Sequence, residues 1–339
     1  MTSTFNHIQS AHCENGVTSN LLNHHGVTNI DEPLAFGIGS GLFFIYVPFL
    51  TFSNGPAIAF RTLPGKIFAR TCKLLDIPIY SKRFSSPKKA KEYLDDFLNQ
   101  NKFVGVQVGV FYLPYFPKEY RFHFNAHNII VYGKENGNYL VSDPVMETTT
   151  SLSSEELERV RFSKGVFAPQ GYMYFPKNKT EVTTEQVKKA IILGIRRNAR
   201  DMLYLPGGIA GVSGINFMGR RIKKWRDKLG LRKAGLNLAN LVRMQEEIGT
   251  GGGGFRYIYA AFLQKAYTFY PAHDELLKVA DLLTKSGDLW RDSAVQASGM
   301  YKGRITEQVD FDTMGDYLLE IADIEKKAFK SLREIQWKK

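Results

Sequence analysis

The chain changes texture once along its length. The segment from Pro176 to Thr184 is polar, and the spacing of apolar residues differs on its two sides. Before it, short runs rich in Val, Ile, Phe and Tyr alternate with turn signals. After it, Val187, Ile191, Ile192, Ile195, Ala199 and Met202 form one helical stripe behind a Thr183/Gln186 capping box. A period of two reads as strands and a period of 3.6 as helices. The switch therefore predicts an α+β domain over 1–176 and a mainly helical domain over 177–339. A length of 339 residues suits two domains, at about 100–200 residues each.

Within the first part, a short helix follows Cys13, with Val17, Leu21 and Leu22 on one side and Gly26 as its stop. Residues 88–99 read as an amphipathic helix and 103–112 as a strand. Strands at 127–132 and 138–141 flank Gly133–Gly137, a hairpin signal. Ser153 and Glu156 form a capping box, and 171–175 reads as a further strand. In the second part, helices fit 237–247, 256–268, 274–286 and 314–336.

Residues 33–60 carry no charge, which raises a membrane span. Such a span needs about 20 predominantly apolar residues. Gly37, Gly39, Gly41, Pro48, Asn54, Gly55 and Pro56 interrupt this one. The segment reads as a Gly-rich turn, a buried strand at 42–47 and a second turn, with no membrane span. The N-terminus lacks the basic and apolar regions of a signal peptide. Cys13 and Cys72 are the only cysteines, which excludes a disulfide scaffold and points to a reducing, cytoplasmic setting. The net charge of +12 favours an acidic partner, and no zinc finger or RNP-type motif argues for nucleic acid.

Cys13 stands at the expected start of a helix, where the backbone dipole favours thiolate. A small buried hydrophobe is the alternative role for a lone cysteine. If Gly133–Gly137 forms the hairpin loop, His127 falls opposite Asp143, and a carboxylate can orient an imidazole. A tighter turn at Asn136-Gly137 shifts that register, and Asp143-Pro144 also reads as a simple strand end. An early Cys before a helix, followed by a His and an Asp on later strands, is the papain-like order.

These residues resemble the butirosin biosynthesis protein H family. The resemblance is carried by His12-Cys13-Glu14-Asn15, by Asp31-Glu32-Pro33-Leu34-Ala35-Phe36-Gly37-Ile38-Gly39-Ser40-Gly41, and by His127-Asn128-Ile129-Ile130-Val131-Tyr132-Gly133 through Asp143-Pro144. It continues at Gly249-Thr250-Gly251-Gly252-Gly253-Gly254-Phe255-Arg256 and Tyr259-Ala260-Ala261-Phe262-Leu263. The first half is also similar to cysteine peptidases that trim double-glycine leader peptides. The resemblance implies a papain-like fold followed by a helical domain. It implies an acyltransferase that moves an acyl group from the phosphopantetheine thiol of an acyl carrier protein onto a small-molecule amine or hydroxyl. Cys13 then matches the nucleophile, His127 the general base and Asp143 the orienting carboxylate, with His123 as the competing base. Gln9, four residues before Cys13, is the candidate oxyanion donor together with the Cys13 N–H.

Other residues carry two readings each. Glu32 is a substrate-amine contact or a turn residue, and Gly39 and Gly41 form a tight turn beside the substrate. The run Gly249–Gly254 cradles a phosphate, with Arg256 beside it, or is a flexible loop. Arg220, Arg221, Lys223 and Lys224 begin a basic cluster suited to docking an acidic carrier, or a solvated helix face. His123 and His127 lack partners spaced for a zinc set, so no metal and no tightly bound cofactor is expected. Cys72 reads as a buried structural thiol. A peptidase or amidase with the same triad, and a non-catalytic scaffold of the same fold, are the rival functions. A homodimer and a monomer both fit the sequence.

Overall fold

The protein is described by a computed structural model covering residues 5–52, 55–179 and 181–337. Residues 1–4 of the N-terminus and Asn54 of the second expected turn lie outside the described residues. In chain order the helices are α1 Cys13–His24, α2 Glu32–Ile38, α3 Lys66–Leu74, α4 Pro87–Asn99, α5 Ser154–Arg161 and α6 Thr184–Tyr204. They continue as α7 Gly211–Ile222, α8 Trp225–Val242, α9 Arg256–Phe269, α10 Glu275–Tyr301 and α11 Gln308–Glu334. The strands are β1 Leu42–Phe52, β2 Gly55–Arg61, β3 Ile79–Lys82, β4 Val104–Val108, β5 His127–Glu135, β6 Asn138–Ser142, β7 Thr150–Leu152 and β8 Met173–Pro176. No helix among the described residues is long and apolar enough to cross a membrane.

The chain divides into two compact units, and the boundary differs from the one read in the sequence. Residues 1–35 with 67–187 make the first unit, and 36–66 with 188–339 make the second. The charge-free segment accounts for the difference. Much of it forms the β1–β2 hairpin, whose Leu42, Phe44, Tyr46, Ile58 and Phe60 are buried within the helical unit. Nothing in the order of the chain announces that an early hairpin joins late helices.

The first unit is built on an antiparallel sheet of order β3-β8-β4-β5-β6-β7. Alternation along its strands gives it two buried faces. Val104, Val106, Val108, Ile129 and Val131 pack with Ala90 and Leu94 of α4 and Leu157 and Val160 of α5. Each large aliphatic side chain buried this way contributes about 1.5–3 kcal/mol. The other face receives α1, where Leu21 lies against Gly105. Val17, Leu21 and Leu22 of α1 are wholly buried, and Gly26, at φ 92°, ends the turn that follows the helix. The capping boxes at Ser153/Glu156 and Thr183/Gln186 both form.

Two local expectations are not met. The β5–β6 hairpin closes through Asn136-Gly137, both at positive φ, rather than through a five-residue loop. That turn sets the register, and a shift between Val131 and Gly133 moves it back by only one residue, so Ile130 pairs with Ser142 and His127 does not stand opposite Asp143 on the ladder. The strand expected over 103–112 stops at Val108, and Val110–Tyr112 winds into a 3-10 turn.

In the second unit the glycine run is neither a phosphate cradle nor an open loop. Gly253 N–H donates to the Glu246 carboxylate at 3.1 Å, so an anion from the chain itself already occupies the backbone donor. A Cβ on Gly254, at φ 56°, would meet the Phe60 ring at 2.4 Å, so the close approach requires glycine. Arg256 is fully buried, which corrects its assignment to a substrate phosphate. Its Nε and Nη2 donate to Glu325 at 2.8 and 2.9 Å, and its Nη1 donates to Gly254 O at 2.7 Å. Ser286 Oγ and Trp290 Nε1 also donate to Glu325, which completes a satisfied buried network.

The Gly-rich turn near residue 37 is also corrected, because α2 runs through Glu32–Ile38. Gly39 and Ser40 form the turn after it, and Gly41 N–H returns to Phe36 O at 2.8 Å. Gly39 and Gly41 are buried, and a Cβ on Gly41 would meet the Phe36 ring at 2.2 Å. They are packing positions in the second unit rather than a surface offered to substrate.

Candidate active site

Helix α1 begins at Cys13, and the reason is local. His12 has extended backbone (φ −130°, ψ 131°) and caps the helix, its Nδ1 accepting from Asn15 N–H at 3.4 Å. The loop before it is clamped. Glu32 accepts from Ala11 N–H at 2.9 Å and His12 N–H at 2.8 Å, and Ser10 N–H donates to Pro144 O at 2.7 Å. Glu32 thus holds the loop before Cys13, and both carboxylate oxygens are engaged there. Burial pushes its carboxyl above the ordinary value, against the pull of those two N–H donors.

The sheet brings the other groups to Cys13. His127 opens β5 and Asp143 directly follows β6. His127 Nε2 lies 2.7 Å from Asp143 Oδ2, both residues being buried. The expected pairing of imidazole and carboxylate therefore exists, although the register that suggested it does not. With Nε2 engaged by Asp143, Nδ1 is the nitrogen left for the Cys13 thiol, and the two residues interact.

Asp143 is fully buried and collects three donors. Besides His127, Tyr115 O–H donates to Oδ2 at 2.9 Å and Val145 N–H donates to Oδ1 at 3.2 Å. A carboxylate so surrounded is held in one orientation. The Phe116 ring stands edge-on to His127, centroids 5.4 Å apart, and limits its rotation. Tyr115 was not legible in the sequence, because it reaches Asp143 from the loop after a 3-10 turn.

The electrostatics follow from these neighbours. Burial alone would push the Cys13 thiol up, but the charges of His12 and His127 outweigh it and hold the thiol well below its ordinary value. Burial would lower His127, but Asp143 and Cys13 together push it up to about 10. Both shifts favour the thiolate–imidazolium pair over the neutral thiol and imidazole. Cys72, by contrast, is wholly buried without a charged partner, and burial pushes its thiol up.

The remaining candidates distribute unevenly. Gln9 is exposed, lines a cleft beside the loop before Cys13 and makes no hydrogen bond among the described residues. His123 stacks on Phe111 at 4.0 Å between centroids, which removes it as the competing base. A cleft of about 610 Å³ borders the loop before Cys13, lined in part by Gln9, Ser10, Asp31 and Glu32. Arg220, Arg221 and Lys224 are exposed at the end of α7, whereas Lys223 pairs with Asp316. Asn128, which no spacing rule singled out, sends its Nδ2 toward Cys13 Sγ at 3.9 Å.

A helix that presents a cysteine to an antiparallel sheet carrying histidine and aspartate is the layout of a papain-like cysteine enzyme. The model of the butirosin biosynthesis protein H N-terminal family matches residues 12–144. A domain of unknown function (DUF4872) matches residues 155–332. A crystal structure of a C39-like peptidase from Bacillus anthracis aligns at 15% identity, covering 52% of this chain and 96% of that chain with a TM-score of 0.37. No curated protein matches.

Proposed function

The chain belongs to the butirosin biosynthesis protein H family, and on that premise we propose that it is an acyltransferase of a biosynthetic pathway. Its donor is an acyl group on the phosphopantetheine thiol of an acyl carrier protein, and its acceptor is a small-molecule amine. The observation that carries the proposal is the buried Cys13–His127–Asp143 set with its depressed thiol.

The Cys13 thiolate attacks the donor carbonyl carbon, and the carbonyl electron pair moves onto oxygen. Collapse expels the carrier thiolate, which takes the proton held by His127. One thioester replaces another, so this step is nearly neutral in energy. His127 then takes a proton from the amine as its nitrogen attacks the acyl-enzyme, and the Cys13 thiolate leaves. The cleft beside Gln9 and Glu32 offers space for the acceptor. The exposed Arg220, Arg221 and Lys224, continued by Lys228, Arg232 and Lys233, suit an acidic carrier.

Intact-protein mass spectrometry after mixing with acyl-carrier thioesters, without acceptor, tests the reading. The expected result is an acyl-sized adduct that is absent in Cys13→Ala. An unreactive Cys13 that takes no acyl group would overturn the enzymatic reading in favour of a scaffold. A reactive Cys13 that ignores every thioester would overturn the donor assignment and favour a peptidase or amidase.

A further inference from the structure

We propose that the Asn128 side-chain amide is the oxyanion donor of the Cys13 site, held in place by Tyr174. The inference rests on the reading of Cys13 as an acyl-accepting nucleophile, and it gives Asn128 the role that the sequence suggested for Gln9. The strand itself supplies the aim. On β5, Ile129 and Val131 face the core shared with α4 and α5, so Asn128 and Ile130 face α1.

The orientation of the amide is set by its partners. Tyr174 O–H donates to Asn128 Oδ1 at 2.8 Å, and Asn128 Nδ2 donates to Ala126 O at 3.0 Å. With oxygen and nitrogen assigned by these two bonds, the second N–H of the amide is the one directed at Cys13 Sγ, 3.9 Å away. That distance is long for a hydrogen bond to sulfur. It leaves room for the oxygen that develops one atom beyond the sulfur when a carbonyl is attacked. Asn128 is 2% exposed, so water competes little for this N–H.

Tyr174 can take its position because its cross-strand partner is glycine. Gly105 pairs with Tyr174 on β8, and a Cβ at Gly105 would meet the Tyr174 ring at 2.7 Å. The ring lies flat over β4 and reaches Asn128 on the next strand. The Cys13 backbone N–H, at the first position of α1, has no intrahelical acceptor and is the natural second donor.

Two reactions of Cys13 separate this role from a structural one. Acylation by p-nitrophenyl acetate forms a carbon–sulfur bond, places charge on the carbonyl oxygen, and then expels p-nitrophenolate. Alkylation by iodoacetamide displaces iodide at a saturated carbon and builds no oxyanion. His12, His127 and Asp143 with Tyr115 govern the thiolate in both reactions.

In Asn128→Ala, acylation should fall about 100-fold or more, while alkylation stays within about threefold of wild type. Tyr174→Phe leaves the amide free to turn and should cost acylation about tenfold, with alkylation again preserved. Because Tyr174 acts through Asn128, the double variant should be no slower than Asn128→Ala alone. Should Asn128→Ala not fold, Tyr174→Phe carries the same comparison. Acylation and alkylation falling together in these variants would overturn the proposal, as would acylation that stays near wild type. A wild-type Cys13 that alkylates but takes no acyl group from p-nitrophenyl acetate would overturn it too. If wild type reacts with p-nitrophenyl acetate but with no carrier thioester, the carrier assignment fails and the Asn128 assignment stands.

Discussion

Replacing Asp143 by Asn exchanges one oxygen for an amide nitrogen and leaves the volume unchanged. Asp143 accepts from His127 and Tyr115 on Oδ2 and from Val145 N–H on Oδ1. An Asn side chain cannot accept at both ends. Turning its oxygen toward His127 and Tyr115 satisfies two donors and leaves its NH₂ facing a single N–H, so this orientation is favoured. His127 then keeps a hydrogen bond but loses the charge. A hydrogen bond to a charged group is worth about 1.5–3 kcal/mol against about 1 for a neutral one, a loss of roughly 0.5–2 and about 1.3 at mid-range. Buried Coulomb attraction at about 4 Å and an effective dielectric of 20 sets an upper figure of about 4 kcal/mol. At 1.36 kcal/mol per unit, the imidazolium loses about 1–3 pKa units. The sign follows from Asp143 being the leading influence that raises His127.

The assay is NMR titration of the His127 ring in a Cys13→Ala background, with and without Asp143→Asn. Removing the thiol uncouples the two titrations, so the difference reports Asp143 alone. The same loss predicts acyl transfer slowed by about 10- to 1000-fold in the single Asp143→Asn variant. A His127 titration that moves by less than about half a unit would refute the claim that Asp143 poises the imidazole.

Three other outcomes follow from the geometry. Glu32→Ala removes the acceptor for Ala11 and His12 N–H, and the loosened loop should slow Cys13 acylation by about 5- to 30-fold with the fold retained; an unchanged rate would show the clamp to be irrelevant. Arg256→Met strands the buried Glu325 charge and should destabilise by about 3–5 kcal/mol in urea unfolding, most of which Arg256→Met with Glu325→Met should recover. Reversing Arg220, Lys224 and Lys228 to Glu should slow acylation from a carrier protein in low salt but leave the reaction with p-nitrophenyl acetate untouched; equal loss in both reactions would remove the docking assignment.

What the sequence determined by itself is local. The start of α1 at Cys13, the capping boxes of α5 and α6 and the helical stripe of the second half all depend on residues within a few positions of one another. The order Cys13, His127, Asp143 was legible because papain-like chemistry needs those residue types on a helix followed by strands. The tertiary structure decided whatever depends on which strand lies beside which. A two-residue turn moved His127 out of line with Asp143, a one-residue register shift recovered part of that offset, and side-chain reach closed the contact at 2.7 Å. Tyr115 and Asn128 have no spacing to Cys13 that a periodicity could reveal, since the fold alone closes 115 residues between Asn128 and the thiol. Arg256 read as an exposed cation because sequence does not show that Glu325, 69 residues later, comes to meet it. The hairpin of 36–66 joined the helical unit for the same reason: an apolar surface is buried by whatever apolar surface the whole chain brings to it, not by its neighbours in sequence.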